Sequence, residues 1–241
     1  MRGARGGRDE RCRAVIVLAI ETAGPRGSVA LLPSEGLPEQ VEFQASGRLG
    51  AELAPAIQGL LRRQGLGPEQ PPDLVAVDLG PGSYTGLRIG LAAAKGLAFA
   101  WGKPLLGVRA DEALAEEAPP DAERILCALD ASRGEVYAVR YARTAGAVER
   151  RGEAGLYDPA DLARLLDEPT WVVGDAAERV GGGHRRAPAE RAWPTAVRIA
   201  RIARRRHLAG ERQDAIGLAP VYYRPNEAEA QRRQRAMKER T

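Results

Sequence analysis

Two stretches of this chain repeat one order of chemistry. Leu18-Ala19-Ile20-Glu21-Thr22-Ala23 and Cys127-Ala128-Leu129-Asp130-Ala131-Ser132 are each an apolar run closed by a carboxylate, then small residues, then a glycine that opens a second apolar run. Apolar, β-branched runs separated by turn chemistry read as hairpins. A hairpin that occurs twice, with an acid at the end of its first strand each time, limits the chain to folds built from one unit used twice.

The residues around each hairpin extend the parallel. Residues 14–21 form a buried strand, Gly24-Pro25-Arg26-Gly27 a turn, and residues 28–32 the return strand, while Val41, Phe43 and Ala45 alternate with polar residues as a third. The period then changes. Leu49, Leu53, Ala56, Ile57, Leu60 and Leu61 recur at helical spacing over residues 47–64, with Pro55 placed to bend that helix and Gly65 to end it. Residues 73–79 are a strand, a helix capped by Ser83 or Thr85 runs to about residue 101, and residues 105–108 are a strand. The order begins again with strands at 124–130, 136–141 and 147–153, helices at 159–167 and 194–208, and a strand at 171–173 between those helices. Two β-β-β-α-β-α units in succession predict an α/β chain with the duplicated lobes of the actin, Hsp70 and sugar-kinase fold, a ribonuclease H-like plan. The expected domains are a basic, disordered tail over residues 1–12, a first lobe over 13–109, a second over 110–224 whose last part can pack back on the first, and a basic tail over 225–241.

Charge and composition narrow the partners. Of 241 residues 44% are hydrophobic and 28% charged, which suits a globular core. The longest apolar run, residues 14–20, falls far short of the roughly 20 residues a spanning helix needs, and no signal-peptide pattern precedes it. A cytoplasmic location is expected, with Cys12 and Cys127 as reduced structural thiols. The net charge of +4 is carried mostly by arginine. It gathers at both ends and in Arg198, Arg201, Arg204, Arg205 and Arg206, where RNA phosphates are one partner and plain solvation another. No aromatic residues interleave the arginines of 201–206 or 232–240, so base stacking is not signalled.

The densest motif is Gly80-Pro81-Gly82-Ser83-Tyr84-Thr85-Gly86-Leu87-Arg88-Ile89-Gly90. Its glycines permit a sharp strand-to-helix turn, and a helix start behind glycines can hold an anion. The spacing matches neither the phosphate loop nor the dinucleotide fingerprint, which favours a connection built for tight packing. Gly86, Gly90, Ala94, Ala98 and Gly102 recur every four residues as one small-residue ridge. Each glycine inside a helix costs about 1 kcal/mol relative to alanine, so another backbone should lie close, either the 47–64 helix or a partner protein. The neighbouring face, with Leu87, Leu91, Phe99 and Trp101, is expected to fill the lobe's own core.

At this motif the chain resembles the TsaB family, also called YeaZ, whose members carry a Gly-Pro-Gly-Ser-[Phe/Tyr]-Thr-Gly-[Leu/Val]-Arg-[Ile/Val]-Gly segment followed by a small-residue helix. The likeness continues in Gly27-Ser28-Val29-Ala30-Leu31, in Arg133-Gly134-Glu135-Val136-Tyr137 and in Ala219-Pro220-Val221-Tyr222-Tyr223-Arg224, covering about residues 14–224. The resemblance implies a non-catalytic subunit that dimerises with and activates its paralogue TsaD and supports recruitment of the ATPase TsaE. The complex transfers a threonylcarbamoyl group to the adenosine beside the anticodon of tRNA. It implies pairing through the two helices of the first lobe, with Leu49, Leu53, Ile57, Gly86, Gly90, Ala94 and Ala98 at the interface, and a homodimer when the chain is alone. ATP and metal are expected on the partner subunits, none in this one, and tRNA contact through the complex.

The departures from the family point the same way. TsaD-type proteins carry a His-x-x-x-His pair on the first long helix, where this chain reads Gly47-Arg48-Leu49-Gly50-Ala51-Glu52. His184 is expected in a solvent-facing loop after three glycines and His207 at the end of an arginine-rich helix, so no metal site is expected. Glu21 stands where the family usually has Asp. Glu21, Thr22 and Gly27, with Asp130 and Arg133 of the second hairpin, are candidates for a vestigial nucleotide cleft, and Asp130 and Arg133 are placed to pair with each other. The competing readings are an autonomous ATP-binding enzyme of the actin-like fold using Glu21, Asp78 or Asp130, a metalloprotease-like relative, and an RNA-binding module.

Overall fold

The computed structural model describes residues 15–44, 48–166, 168–188 and 192–223. Cys12, both basic tails with the arginines of 232–240, Arg224, Ala45 and Gly47 lie outside the described residues. The chain divides into two compact units, Met1–Glu116 with Trp193–Pro220, and Glu117–Ala192 with Val221–Thr241.

The first unit is built on β1 (Val17–Glu21), β2 (Arg26–Leu32), β3 (Glu39–Gln44), β4 (Leu74–Asp78) and β5 (Leu105–Val108), with helices α1 (Leu49–Arg63), α2 (Tyr84–Trp101) and α3 (Ala110–Glu117). Its strands lie in the order β3-β2-β1-β4-β5. β1 and β2 are the antiparallel hairpin, with Glu21 opposite Ser28, and β4 and β5 join parallel to β1. The second unit repeats the plan with β6 (Arg124–Asp130), β7 (Val136–Thr144), β8 (Ala147–Tyr157), β9 (Trp171–Val173) and β10 (Arg185–Arg186) in the order β10-β9-β6-β7-β8. Again the hairpin and its third strand are antiparallel, while β9 and β10 run parallel to the strand that ends in the acid. The same order, in the same directions, makes this a duplicated actin-like fold.

The second unit is the reduced copy. α4 (Pro159–Arg164) stands where α1 stands, but between β9 and β10 a single 3-10 turn, Ala177–Arg179, replaces the long α2. β8 runs four residues past the expected 147–153, and α4 stops three short of 167.

Strand alternation sends one side chain set to each face of the first sheet. Val17, Ala19, Ala30, Leu32, Leu74, Ala76, Leu106 and Val108 form one core with Ala196, Ile199, Ala200, Ile202 and Ala203 of α5 (Ala196–Leu208). α1 and α2 pack on strands of the same sheet. Three polar caps hold the start of α5: Thr195 Oγ1 accepts from Arg198 N, Ser28 Oγ from Ala196 N at 3.0 Å, and Gln40 Oε1 from Val197 N.

α3, which the sequence pattern does not reveal, is held in the first unit by α5. Glu116 pairs with Arg205 and Arg198, and Glu112 with Arg206. Arg204 donates to the Pro33 carbonyl at 2.9 Å. The arginine-rich face of this helix is therefore largely spent inside its own unit, and only Arg201 of that set points away without such a bond among the described residues.

Candidate partner-docking groove and the carboxylate-ended hairpins

The glycine-rich turn is built around the exit of β1. The Gly80–Pro81 peptide is cis and Gly80 has φ +90°. Gly80 N donates to Asp78 Oδ1 at 2.7 Å and Ser83 N to the Ala23 carbonyl at 2.8 Å. A Cβ on Gly82 would lie 2.6 Å from that of Ala23. Ser83 is the N-cap, its Oγ accepting from Gly86 N, and its carbonyl accepts from Leu87 N. The amides of Gly80, Ser83, Gly86 and Leu87 are thus used by the fold itself rather than left for a phosphate.

Thr22 occupies the small-residue ridge. Its Oγ1 donates to the Gly86 carbonyl at 2.8 Å, and a Cβ at Gly86 or Gly90 would run into the Thr22 carbonyl or hydroxyl respectively. Ala94 and Ala98 are buried as well. This corrects the expectation at Gly86 and Gly90, which was the 47–64 helix or a partner: what sits against these two glycines is Thr22, the residue that follows β1. The expectation for Phe99 is corrected too, since it is 91% exposed.

Glu21, Thr22 and Gly27 are likewise absorbed locally. Glu21 is buried, its Oε1 accepting from Ala23 N and Gly24 N at 2.7 and 3.1 Å and its Oε2 from Ser28 Oγ. A Cβ on Gly27 would enter the Phe43 ring. Burial, then the charge of Asp78, pushes the Glu21 carboxyl well above its usual range, against the amides of Gly24 and Ala23. Asp78 ends β4 the same way. It is buried, Oδ2 has no hydrogen-bond partner among the described residues, and burial raises its pKa to about 7, the Gly80 amide lowering it, Asp111 raising it and Arg109 lowering it.

In the second unit Asp130 is ion-paired at 2.8 Å with Arg179 of the 3-10 turn, a partner the sequence did not point to, while Ser132 and Arg133 both take positive φ. The 3-10 turn delivers Arg179 to the strand end, where it also donates to the Gly134 carbonyl. Asp175 Oδ1 accepts from Asp130 N at 2.8 Å, and burial, followed by the opposed effects of that amide and the Asp130 charge, raises the Asp175 carboxyl. His184 is half-buried with Nδ1 shielded and unsatisfied, rather than solvent-facing. His207 ends α5, and Cys127 is a buried thiol of β6. Among the described residues no three His, Cys, Asp or Glu side chains gather as a metal site, and no helix is long and apolar enough to cross a membrane.

What stays open is a groove of about 780 Å³ between α1 and α2. Leu53, Ile57 and Leu61 of α1 and Ile89, Ala93, Leu97 and Trp101 of α2 line it, and the Leu66-Gly67-Pro68 turn contributes to its wall. Gln58 and Arg62 are its only polar lining among the described residues. Leu53 and Ile57 of the expected interface belong to it. Leu49 is buried on α1 outside the lining. The side of α2 that opens here is the one sequence reasoning passed over, and its signal was Ile89, Ala93, Gly96 and Leu97, a second run of small and apolar residues offset from the ridge.

The profile of the family TsaD, tRNA N6-adenosine threonylcarbamoyltransferase, matches residues 43–180. The tRNA threonylcarbamoyladenosine biosynthesis protein TsaB of Haemophilus influenzae is 36% identical over 123 residues, covering 50% of this chain and 51% of the relative. The protein of that name in Bacillus subtilis is 28% identical over 225 residues, covering 89% of this chain and 96% of the relative. The match spans about half the length of the Haemophilus influenzae and Escherichia coli relatives, 51% and 55%. The solved structure of YeaZ from Pseudomonas aeruginosa superimposes with a TM-score of 0.75 at 29% identity, over 86% of this chain and 99% of that one.

Proposed function

Since the chain belongs to the TsaD family and, within it, to the TsaB (YeaZ) branch, we propose that it is the non-catalytic, activating subunit of a tRNA threonylcarbamoyladenosine-forming complex. It pairs with a TsaD-type transferase through the α1–α2 groove and supports recruitment of TsaE, in the cytoplasm where tRNA is modified. The groove carries this reading. An open apolar trough between two helices loses free energy to water until another helix fills it. The family's transfer chemistry, with its ATP and metal, belongs to the partner subunits. The three candidate carboxylates for nucleotide chemistry each serve the fold with at least one oxygen: Glu21 and Asp78 bind turn amides and Asp130 pairs with Arg179.

Gly96 offers a clean test. It is exposed at the groove and a Cβ there meets nothing within 4 Å, so Gly96→Arg leaves the fold intact while placing a charge in the trough. The variant is expected to lose co-purification with the cognate TsaD and to abolish threonylcarbamoyl transfer to tRNA in a reconstituted mixture, at a melting temperature no lower than that of wild type. Undiminished pairing by a folded Gly96→Arg protein removes the groove from the interface. The ridge is no substitute: Gly90→Leu collides with Thr22 and would confuse lost pairing with lost folding.

A further inference from the structure

The sheet of the second unit carries an arrangement that pairing with a transferase does not use. β7 and β8 place Arg140 directly opposite Arg151, and β6 places Arg124 on the same face, two residues from Leu126, which pairs with Arg140. Like charges opposed across two strands repel, and two guanidinium groups at one rung call for anionic compensation. The side chains of the fold supply part of it. Arg124 pairs with Glu168 and Arg151 with Glu149 at 3.0 Å. Arg140 donates to the Leu165 carbonyl at 3.1 Å and meets no carboxylate among the described residues. The three guanidinium groups open on a cavity of about 350 Å³ completed by Ala142, Leu165 and Thr170, with Glu168 as the one acid in its lining. A second hollow of about 260 Å³ shares Arg140 and Arg151, so these two side chains have room to swing toward a ligand.

We propose that this cavity binds a phosphate oxyanion, with Arg140 and Arg151 as its paired ligands and Arg124 as the third. Guanidinium forks match phosphate oxygens two at a time. Three of them around one small cavity offer more donors than a carboxylate can accept, which favours phosphate. The phosphate comes either from a small phosphorylated molecule or from an RNA backbone.

The full chain is titrated with inorganic phosphate at constant ionic strength, with chloride as the balancing anion, and followed by thermal melting and calorimetry. The expected result is a saturable rise in melting temperature, with affinity at least about tenfold weaker in Arg140→Gln and Arg151→Gln and unchanged in Arg150→Gln, whose side chain bonds to the Gly152 carbonyl and Glu153. A short oligoribonucleotide without terminal phosphates separates the sources. Competition with phosphate assigns the site to a nucleic-acid backbone, and failure to compete assigns it to a free or small-molecule phosphate. The proposal is overturned if wild type shows no saturable shift, or if the Arg140→Gln and Arg151→Gln proteins, folded by circular dichroism, respond as wild type does. Should Arg140→Gln misfold through loss of its bond to Leu165, Arg151→Gln decides. No transferase enters the measurement, so it stands or falls apart from the pairing function.

Discussion

Asp78 shows what a single carboxyl can impose on this protein. Its Oδ1 serves the turn by accepting from Gly80 N, while Oδ2 is enclosed without a partner among the described residues. A buried carboxylate without compensation favours its protonated form, and the pKa is accordingly raised from 3.8 to about 7. The folded state therefore holds a proton that the unfolded chain gives up near pH 4. The stabilisation linked to this proton is full below about pH 4 and is lost as the pH rises through about 7. Glu21, raised in the same direction, adds to that slope. Asp78→Asn keeps an oxygen for Gly80 N and removes the ionisation. Urea unfolding between pH 5 and pH 8 is expected to show a stability that falls with pH in wild type and a flatter profile in Asp78→Asn, which should be the more stable of the two at pH 8. Equal slopes would mean that Asp78 is already ionised in the folded chain.

At the scale of elements, the contact of α2 with the end of β1 decides the geometry of the motif. Gly90→Ala puts a methyl group into the Thr22 hydroxyl. The helix gains about 1 kcal/mol of propensity but overpacking of this kind costs typically about 1–3 kcal/mol. The expected outcome is a net loss of stability in chemical denaturation, relieved in the double variant Thr22→Ala/Gly90→Ala. This is also where sequence reasoning reached its limit. Spacing by four announces that something must come close to Gly86 and Gly90, but the thing that comes is Thr22, 64 residues away for the Gly86 bond, and no local pattern names it. The hairpins, a cap at Ser83 or Thr85 and the order of the main elements along the chain were legible because periodicity and turn chemistry are local. α3 was not, because its short, acid-rich stretch is held by Arg205 and Arg206 from α5. Phe99 misled for the opposite reason: its residue type says core, while its place on the helix puts it in water.

At the scale of the whole chain, α5 returns from beyond the second unit to close the first. Val17, Ala19, Ala30, Leu74 and Leu106 on one face of the first sheet share a core with this helix, and Ser28 Oγ receives the bond from Ala196 N across 168 residues. A protein truncated after Glu116 leaves that face bare and is expected to aggregate on expression. Co-expression of a segment spanning residues 193–220 should recover part of the material as monomer in size-exclusion chromatography, and a stable, monomeric truncated protein would contradict the assignment of α5 to this core. During synthesis the same arrangement sets a schedule. The ribosome delivers the first sheet early and its covering helix only after the strands of the second unit, so the first lobe waits, half-dressed, while the second is being made. Whatever shields that apolar face in the interval, a chaperone or the nascent second lobe itself, is part of how this protein comes to exist.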